Sequence, residues 1–328
     1  MSLFHVFSVL AASARHDGVS LIEIHLLPGL NGRYCLPEMN FAFEGAHVLI
    51  KHNANQPGRS SQYVKLILPF LGYILLGAWN SKPKTILMHH TYLKPNIFLS
   101  SSFREALSLW VTSFEEGVGT YGDLRHHREV ARIEKKKLPT VNYFLKKALS
   151  FLVREKFSVL TACKPSDAIA FRKAVHTISA QTGLNGSQFM EQSGHIANAS
   201  RKKKLIFFGS PYMDRQGISK KKYKEYVNRF ILENPDFVFF VKPHPLEKKS
   251  LPVYEELGVP VIDHTIGGEM LVALLEPALI IGFYSGVLLA ARNIYGTPYR
   301  IADPAALGDS SSLEGSISPS IMKLYEKQ

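Results

Sequence analysis

Cysteine is scarce in this 328-residue sequence: Cys35 and Cys163 stand alone and far apart, which excludes a disulfide framework and a cysteine-built metal site. A reducing compartment is the simpler setting, so a cytoplasmic protein is expected. The N-terminus lacks a basic stretch followed by a long apolar core, so no secretory signal is expected. Long hydrophobic runs are also lacking. The longest, Leu66 to Trp79, has 14 residues and is broken by Pro69 and two glycines. A membrane-spanning helix needs about 20, so this run reads as a buried helix, with contact at a membrane surface as the lesser alternative. No Asp-x-Asp pair and no His/Cys metal cluster is visible, which is consistent with a protein that uses neither a metal nor another cofactor. No internal repeat or low-complexity tract occurs either.

Acidic residues are outnumbered: 39 Lys and Arg against 27 Asp and Glu leave a formal charge of +12. The excess sits in blocks at Arg125 to Arg128, Lys135 to Lys137, Arg201 to Lys204, Lys220 to Lys222 and Lys248-Lys249. On charge alone, nucleic acid, anionic lipid and an acidic glycan all fit as partners. Length allows two domains, and 46% hydrophobic with 20% charged residues describes an ordinary globular chain.

Leu3, Val6, Phe7, Leu10 and Ala11 recur at helical spacing, which predicts a helix within 1–15. Short apolar segments then predict strands at 21–26, 47–51, 85–89, 107–114 and 157–161, with helices at 61–76 and 141–155 between them. Between Cys163 and Lys204 glycines, Asn185-Gly186 and a basic run read as a linker or irregular crossing. Strands are expected again at 205–208, 237–241, 259–263, 279–281 and 299–301. A helix over 220–234 presents Tyr223, Tyr226, Val227 and Phe230 on one face. Residues 308–318 read as a loop before a last short helix. Such alternation is the mark of parallel sheets covered on both faces. The expected architecture is α/β with two doubly wound domains, 1–160 and 204–328, joined by 161–203.

Phe237 to Val241 runs into Lys242-Pro243-His244-Pro245. The prolines fix φ and lack a donor, so the chain must leave the sheet, with His244 held between two stiff residues. A titratable ring is thereby aimed outward from the carboxyl edge of a sheet, where open α/β folds bind ligands. The alternative is a loop histidine with no task. In the first half, Glu115-Glu116 precede Gly117, Gly119 and Gly122, a literal G-x-G-x-x-G. Two carboxylates would repel a pyrophosphate, and the acidic residue expected about 20 positions on falls in a Lys-rich helix, so a dinucleotide site is rejected. The glycines instead let the backbone turn sharply so that a carboxylate projects; adjacent carboxylates repel, which raises the pKa of one toward that of a general base. Surface glutamates at a turn are the alternative. Gly209-Ser210 close a strand with a turn whose amides suit a phosphate, Glu269 opens a helix, and Tyr284-Ser285 precede another. Strand exit, helix-end satisfaction and N-capping are their respective ordinary explanations.

Taken together, the glutamate pair, the Lys-Pro-His-Pro turn, a glutamate 25 residues after His244 and a serine turn 16 residues beyond it resemble the motif series of bacterial sialyltransferases. The resemblance is to the capsule polysialyltransferases and lipooligosaccharide sialyltransferases, and it implies a GT-B fold of two Rossmann-like domains facing across a cleft. Glu115-Glu116-Gly117 match the family's acidic motif and His244-Pro245 its His-Pro motif; where the family carries two serines this chain has Tyr284-Ser285. The resemblance implies inverting transfer of sialic acid from CMP-sialic acid without a metal. In that scheme Glu115, or Glu116 as second choice, accepts the acceptor's proton, and His244 is general acid for departing CMP. Glu269 would meet the ribose, Gly209 and Ser210 the nucleotide, and His244 and Ser285 the phosphate, with Lys242, Pro243 and Tyr284 also binding the CMP-sugar and Gly117 and Gly119 on the acceptor side. A nucleotide-sugar donor, an acidic glycan acceptor and peripheral contact with an anionic membrane would be the partners.

Two rivals stand beside this reading. A CDP-glycerol glycerophosphotransferase shares a His-Pro turn and a later Tyr-Ser motif, and a Kdo transferase would use a related donor. A basic nucleic-acid-binding protein has only charge in its favour, since aromatics fall in core-like strands rather than among the basic runs and no binding motif is present. Nucleic acid is therefore not an expected partner.

Overall fold

The computed structural model describes residues 3–15, 19–26, 36–52, 84–89, 109–114, 155–184, 203–262, 266–307 and 319–326. Described residues up to Ser158 form one compact unit and those from Val159 onward a second.

The first unit opens with α1 (Leu3–Ser13), which buries residues around its whole circumference, as a helix inside a core must. Strands β1 (Leu21–Leu26), β2 (Met39–Phe43) and β3 (Ala46–His52) form a sheet of order β1-β3-β2. β1 runs parallel to β3, but β2 is antiparallel, so this sheet is mixed and not the all-parallel one expected. Glu44 and Gly45, both at positive φ (49° and 78°), make the two-residue turn between β2 and β3. That backbone matches the twist of a hairpin. Phe41 and Phe43 face the core with Val48 and Ile50, the alternation of a half-buried pair. A second sheet, wholly parallel, has the order β4-β5-β6, with β4 (Lys84–His89), β5 (Leu109–Phe114) and β6 (Glu155–Phe157). α1 lies against β1, β4 and β5. The strand expected over 157–161 instead ends at Phe157, whose buried ring carries the Arg15 guanidinium 4.9 Å from its centroid. The predicted helices over 61–76 and 141–155 lie outside the described residues, except for Glu155 in β6.

The second unit starts with α2 (Pro165–Thr182), an 18-residue helix inside the segment expected to be a linker. Pro165 suits its first turn, and Gly183 at φ 68° ends it in a left-handed cap. Ala168, Phe171, Ala174, Val175 and Ile178 form its buried stripe. The chain continues through β7 (Lys203–Phe208), α3 (Tyr212–Gln216), α4 (Lys220–Leu232), β8 (Phe237–Lys242), α5 (Leu251–Glu256), α6 (Gly268–Leu275) and β9 (Leu279–Gly282). It closes with α7 (Gly286–Ala290), which runs into a π-helical turn at Ala291–Tyr295, then β10 (Tyr299–Ile301) and α8 (Pro319–Glu326).

The four described strands of this unit are parallel in the order β10-β9-β7-β8. The strand expected over 259–263 contracts to a bridge from Val261 to Val241, on the far side of β8. The chain therefore steps outward from β7 through β8 to Val261, returns, and continues on the other side through β9 and β10. The direction of winding reverses between β7 and β9, and the carboxyl ends of the strands at such a reversal are the place where doubly wound sheets take ligands. Phe207 sits at the centre of the core, with ring centroids of Phe230, Phe239 and Phe283 at 5.7, 6.1 and 6.0 Å. Burying Val227 and Phe230 of α4 contributes about 1.5–3 kcal/mol each relative to exposure.

Candidate active site

Strand register decides which loops meet. Phe208 pairs with Lys242 on one side and Gly282 on the other, so Gly209-Ser210, Pro243-His244 and Phe283-Tyr284-Ser285 leave the sheet at one level of one edge. α6 begins at the same edge: a Cβ on Gly268 would lie 2.9 Å from Phe208 Cε1 and 2.8 Å from Val287 Cγ2, so glycine lets this helix start close against the sheet.

The Lys-Pro-His-Pro turn is built on a buried carboxylate. Glu247, only 4% exposed, accepts from the His244 backbone N–H through Oε2 at 2.8 Å. Its own N–H donates to the His244 carbonyl at 2.9 Å. Through Oε1 it accepts from Ser250 Oγ (2.5 Å), Tyr254 Oη (2.5 Å) and Tyr223 Oη (3.1 Å). Burial pushes this carboxyl above its usual range, opposed by the hydrogen bonds from Ser250, Tyr254, the His244 amide and Tyr223. The exposed His244 ring accepts from the Leu246 N–H at Nδ1 (3.1 Å), so the neutral ring carries its proton on Nε2. The neutral His244 ring thus offers its donor at Nε2.

Lys242 is buried, with Nζ donating to the Pro243 carbonyl at 3.1 Å. Glu269, in the first turn of α6, is raised by burial, while its own backbone N–H and the Lys242 charge hold it down. It therefore does part of the work of satisfying the helix end. Ser210 bonds the buried Tyr212 hydroxyl, whose pKa burial raises, with Tyr284 adding to the rise and the Ser210 bond opposing it. Ser285 stands at the N-cap of α7 but makes no side-chain capping bond, so N-capping does not account for its hydroxyl. The Tyr284 ring meets Tyr325 edge-on at 5.2 Å, and the Tyr325 hydroxyl donates to the Ser285 carbonyl at 2.8 Å.

A model of the alpha-2,8-polysialyltransferase family matches residues 78–302, more than two thirds of the sequence. The chain belongs to that family. It is a glycosyltransferase of the sialyltransferase kind. Its fold is similar to the crystal structure of an alpha/beta-galactoside alpha-2,3-sialyltransferase from the luminous marine bacterium Photobacterium phosphoreum. That match has a TM-score of 0.50 and 13% identity and covers 98% of this chain and 97% of the other. UDP-GlcNAc 2-epimerase from Methanocaldococcus jannaschii is matched at a TM-score of 0.46 and 12% identity, over 84% of this chain and 77% of that one. The comparison with curated proteins found no match.

For this polysialyltransferase-family chain, the structure gathers Gly209, Ser210, Lys242, Pro243, His244, Glu269, Tyr284 and Ser285 at one sheet edge. β5 ends at Phe114, and Glu115, Glu116, Gly117 and Gly119 lie outside the described residues. Gly209 is expected to offer its amide to a phosphate. Its N–H is bonded to the Lys242 carbonyl at 3.0 Å and so cannot serve a phosphate. A Cβ there would lie 2.3 Å from Glu247 Oε2. The residue that sequence reasoning missed is Glu247. Tyr223 and Tyr254 are apolar-face residues whose buried hydroxyls demand an acceptor, and a glutamate three positions after His244 was the available one.

Tyr325→Phe should leave the fold intact and cost about 1 kcal/mol, the net value of one hydrogen bond. Because the lost bond holds the Ser285 turn, donor KM should rise several-fold with kcat little changed. Denaturant titration and donor saturation curves check both.

Proposed function

We propose that the protein transfers sialic acid from CMP-sialic acid to a hydroxyl of an acidic bacterial surface glycan, a capsule polysialic acid or a lipooligosaccharide, with inversion at the anomeric carbon. The observation that supports this best is the convergence of His244, Glu269, Ser210 and Ser285 at the carboxyl edge of the second sheet, beside its chain reversal. A nucleotide monophosphate needs donors for its phosphate, an acceptor for its ribose diol and a concavity between strands, and this edge supplies groups of each type.

In the proposed reaction the acceptor hydroxyl oxygen attacks the anomeric carbon as the bond from that carbon to the CMP phosphate oxygen breaks. The bonding pair leaves on CMP, and the hydroxyl proton passes to a carboxylate, with Glu115 the first choice and Glu116 the second. His244 Nε2–H and the Ser285 hydroxyl meet the charge that develops on the departing phosphate, and Glu269 accepts from the ribose. No metal and no further cofactor takes part, since CMP leaves as a stabilised anion. The basic blocks suit a polyanionic acceptor and, secondarily, an anionic membrane surface. Among the described residues no helix is long and apolar enough to cross a membrane.

The test is donor discrimination with CMP-sialic acid, CMP-Kdo and CDP-glycerol against a sialylated oligosaccharide. Acceptor-dependent CMP release from CMP-sialic acid is expected; turnover of CDP-glycerol in its place overturns the reading. In the same assay Glu115→Gln should lower kcat by about 10²–10⁴-fold, the usual contribution of a general base. Glu116→Gln should lower it far less. The reverse ranking would transfer the role to Glu116.

A further inference from the structure

His244 lies on an exposed turn, yet an exposed turn flanked by prolines has no intrinsic reason to keep one ring orientation. What holds it is beneath: the Glu247 carboxylate on the His244 N–H and the Glu247 N–H on the His244 carbonyl grip both sides of the histidine backbone. The carboxylate is itself fixed by Ser250, Tyr254 and Tyr223, and the two tyrosine hydroxyls lie 2.8 Å apart. With the turn held this way, the Leu246 N–H reaches Nδ1.

We propose that Glu247 is a positioning residue for the transfer reaction: it clamps the His244 backbone from below and so fixes the turn in which Leu246 selects the Nε2–H tautomer. The inference rests on the reading of His244 as the group that meets the departing phosphate. Its geometry makes specific demands. Ser250 anchors the far oxygen from the residue before α5, and Tyr223 and Tyr254 come from α4 and α5, so the clamp ties two helices and the end of β8 to one carboxylate. A carboxylate that only filled the core would not need its second oxygen on the backbone of the histidine.

Glu247→Met keeps the length of the side chain and removes both acceptors. Its kcat for CMP-sialic acid should fall about 10–100-fold, with little added loss when combined with His244→Ala. Glu247→Gln can still offer an oxygen to the His244 N–H while its amide donates to the hydroxyls, so it should recover much of that loss. Nitrogen-15 spectra of the imidazoles, with His244 assigned by its absence in His244→Ala, should show the Nε2–H tautomer in the parent and an averaged signature in Glu247→Met. The assignment needs only that His244→Ala fold, and alanine keeps the backbone groups that Glu247 holds. An Nδ1–H pattern there overturns the proposal, as does a folded Glu247→Met with parental kcat. If His244→Ala itself transfers normally, the functional reading fails, and the spectra still decide whether Glu247 holds the ring.

Discussion

The His244→Ala variant loses transfer from CMP-sialic acid by about 10²–10⁴-fold and keeps the unfolding midpoint of the parent. The separation of the two effects follows from where the bonds are. The contacts with Glu247 use the histidine backbone, which alanine retains. The ring itself is exposed and accepts from the Leu246 amide, which water can satisfy once the ring is gone. Donor affinity should weaken less than kcat, because an Nε2–H aimed at a leaving phosphate gains most as charge develops in the transition state. Steady-state kinetics with a sialylated acceptor, alongside thermal unfolding, measure both. A parental kcat would remove the histidine from the chemistry and leave the Lys-Pro-His-Pro turn a purely structural exit from β8.

How far the fold was legible depended on whether local pattern and tertiary context agreed. Leu205 to Phe208 and Phe237 to Val241 are short, apolar and bounded by turn residues, and both are strands whose ends differ by at most two residues. The helix after Ser219 was equally plain, because its buried face repeats at 3.6 and its cap accepts from the Lys222 N–H. α2 keeps Ala168, Phe171, Val175 and Ile178 at helical spacing, but the glycines beyond Thr182 give its segment the composition of a linker. The β2–β3 hairpin was missed because its turn is Glu44-Gly45, without the usual asparagine or aspartate at the first position.

In the site, the sequence order of His244, Glu269 and Ser285 was visible, but not that strand register brings them to one edge. The carboxylate beneath the turn was invisible for a different reason. A lone glutamate among Leu246, Lys248 and Lys249 looks solvated, and only the fold shows that two tyrosines from different helices converge on it. Burial of a carboxyl is tolerable only with hydrogen-bond partners, so its position does not follow from the sequence before those partners are placed.

Gly209→Ala tests the same construction from the opposite side. The added Cβ would lie 2.3 Å from Glu247 Oε2, 2.9 Å from Oε1 and 2.8 Å from Tyr254 Oη. None of these is a free side-chain end, because the carboxylate is held by four donors. Either it retreats and gives up bonds, or the end of β7 moves and breaks the Gly209 N–H bond to Lys242. Each buried polar group left without its partner costs about 1–3 kcal/mol, and more than one is disturbed here, enough to lower the urea midpoint clearly and to reduce transfer in whatever fraction remains folded. Gly217 supplies the comparison. It sits at φ 66° with nothing within 4 Å of an added Cβ, so Gly217→Ala meets only backbone strain of about 1–2 kcal/mol and should leave transfer unchanged. If Gly209→Ala proved no more damaging than Gly217→Ala, the carboxylate would have room to move, and the rigid seat assigned to His244 would not exist.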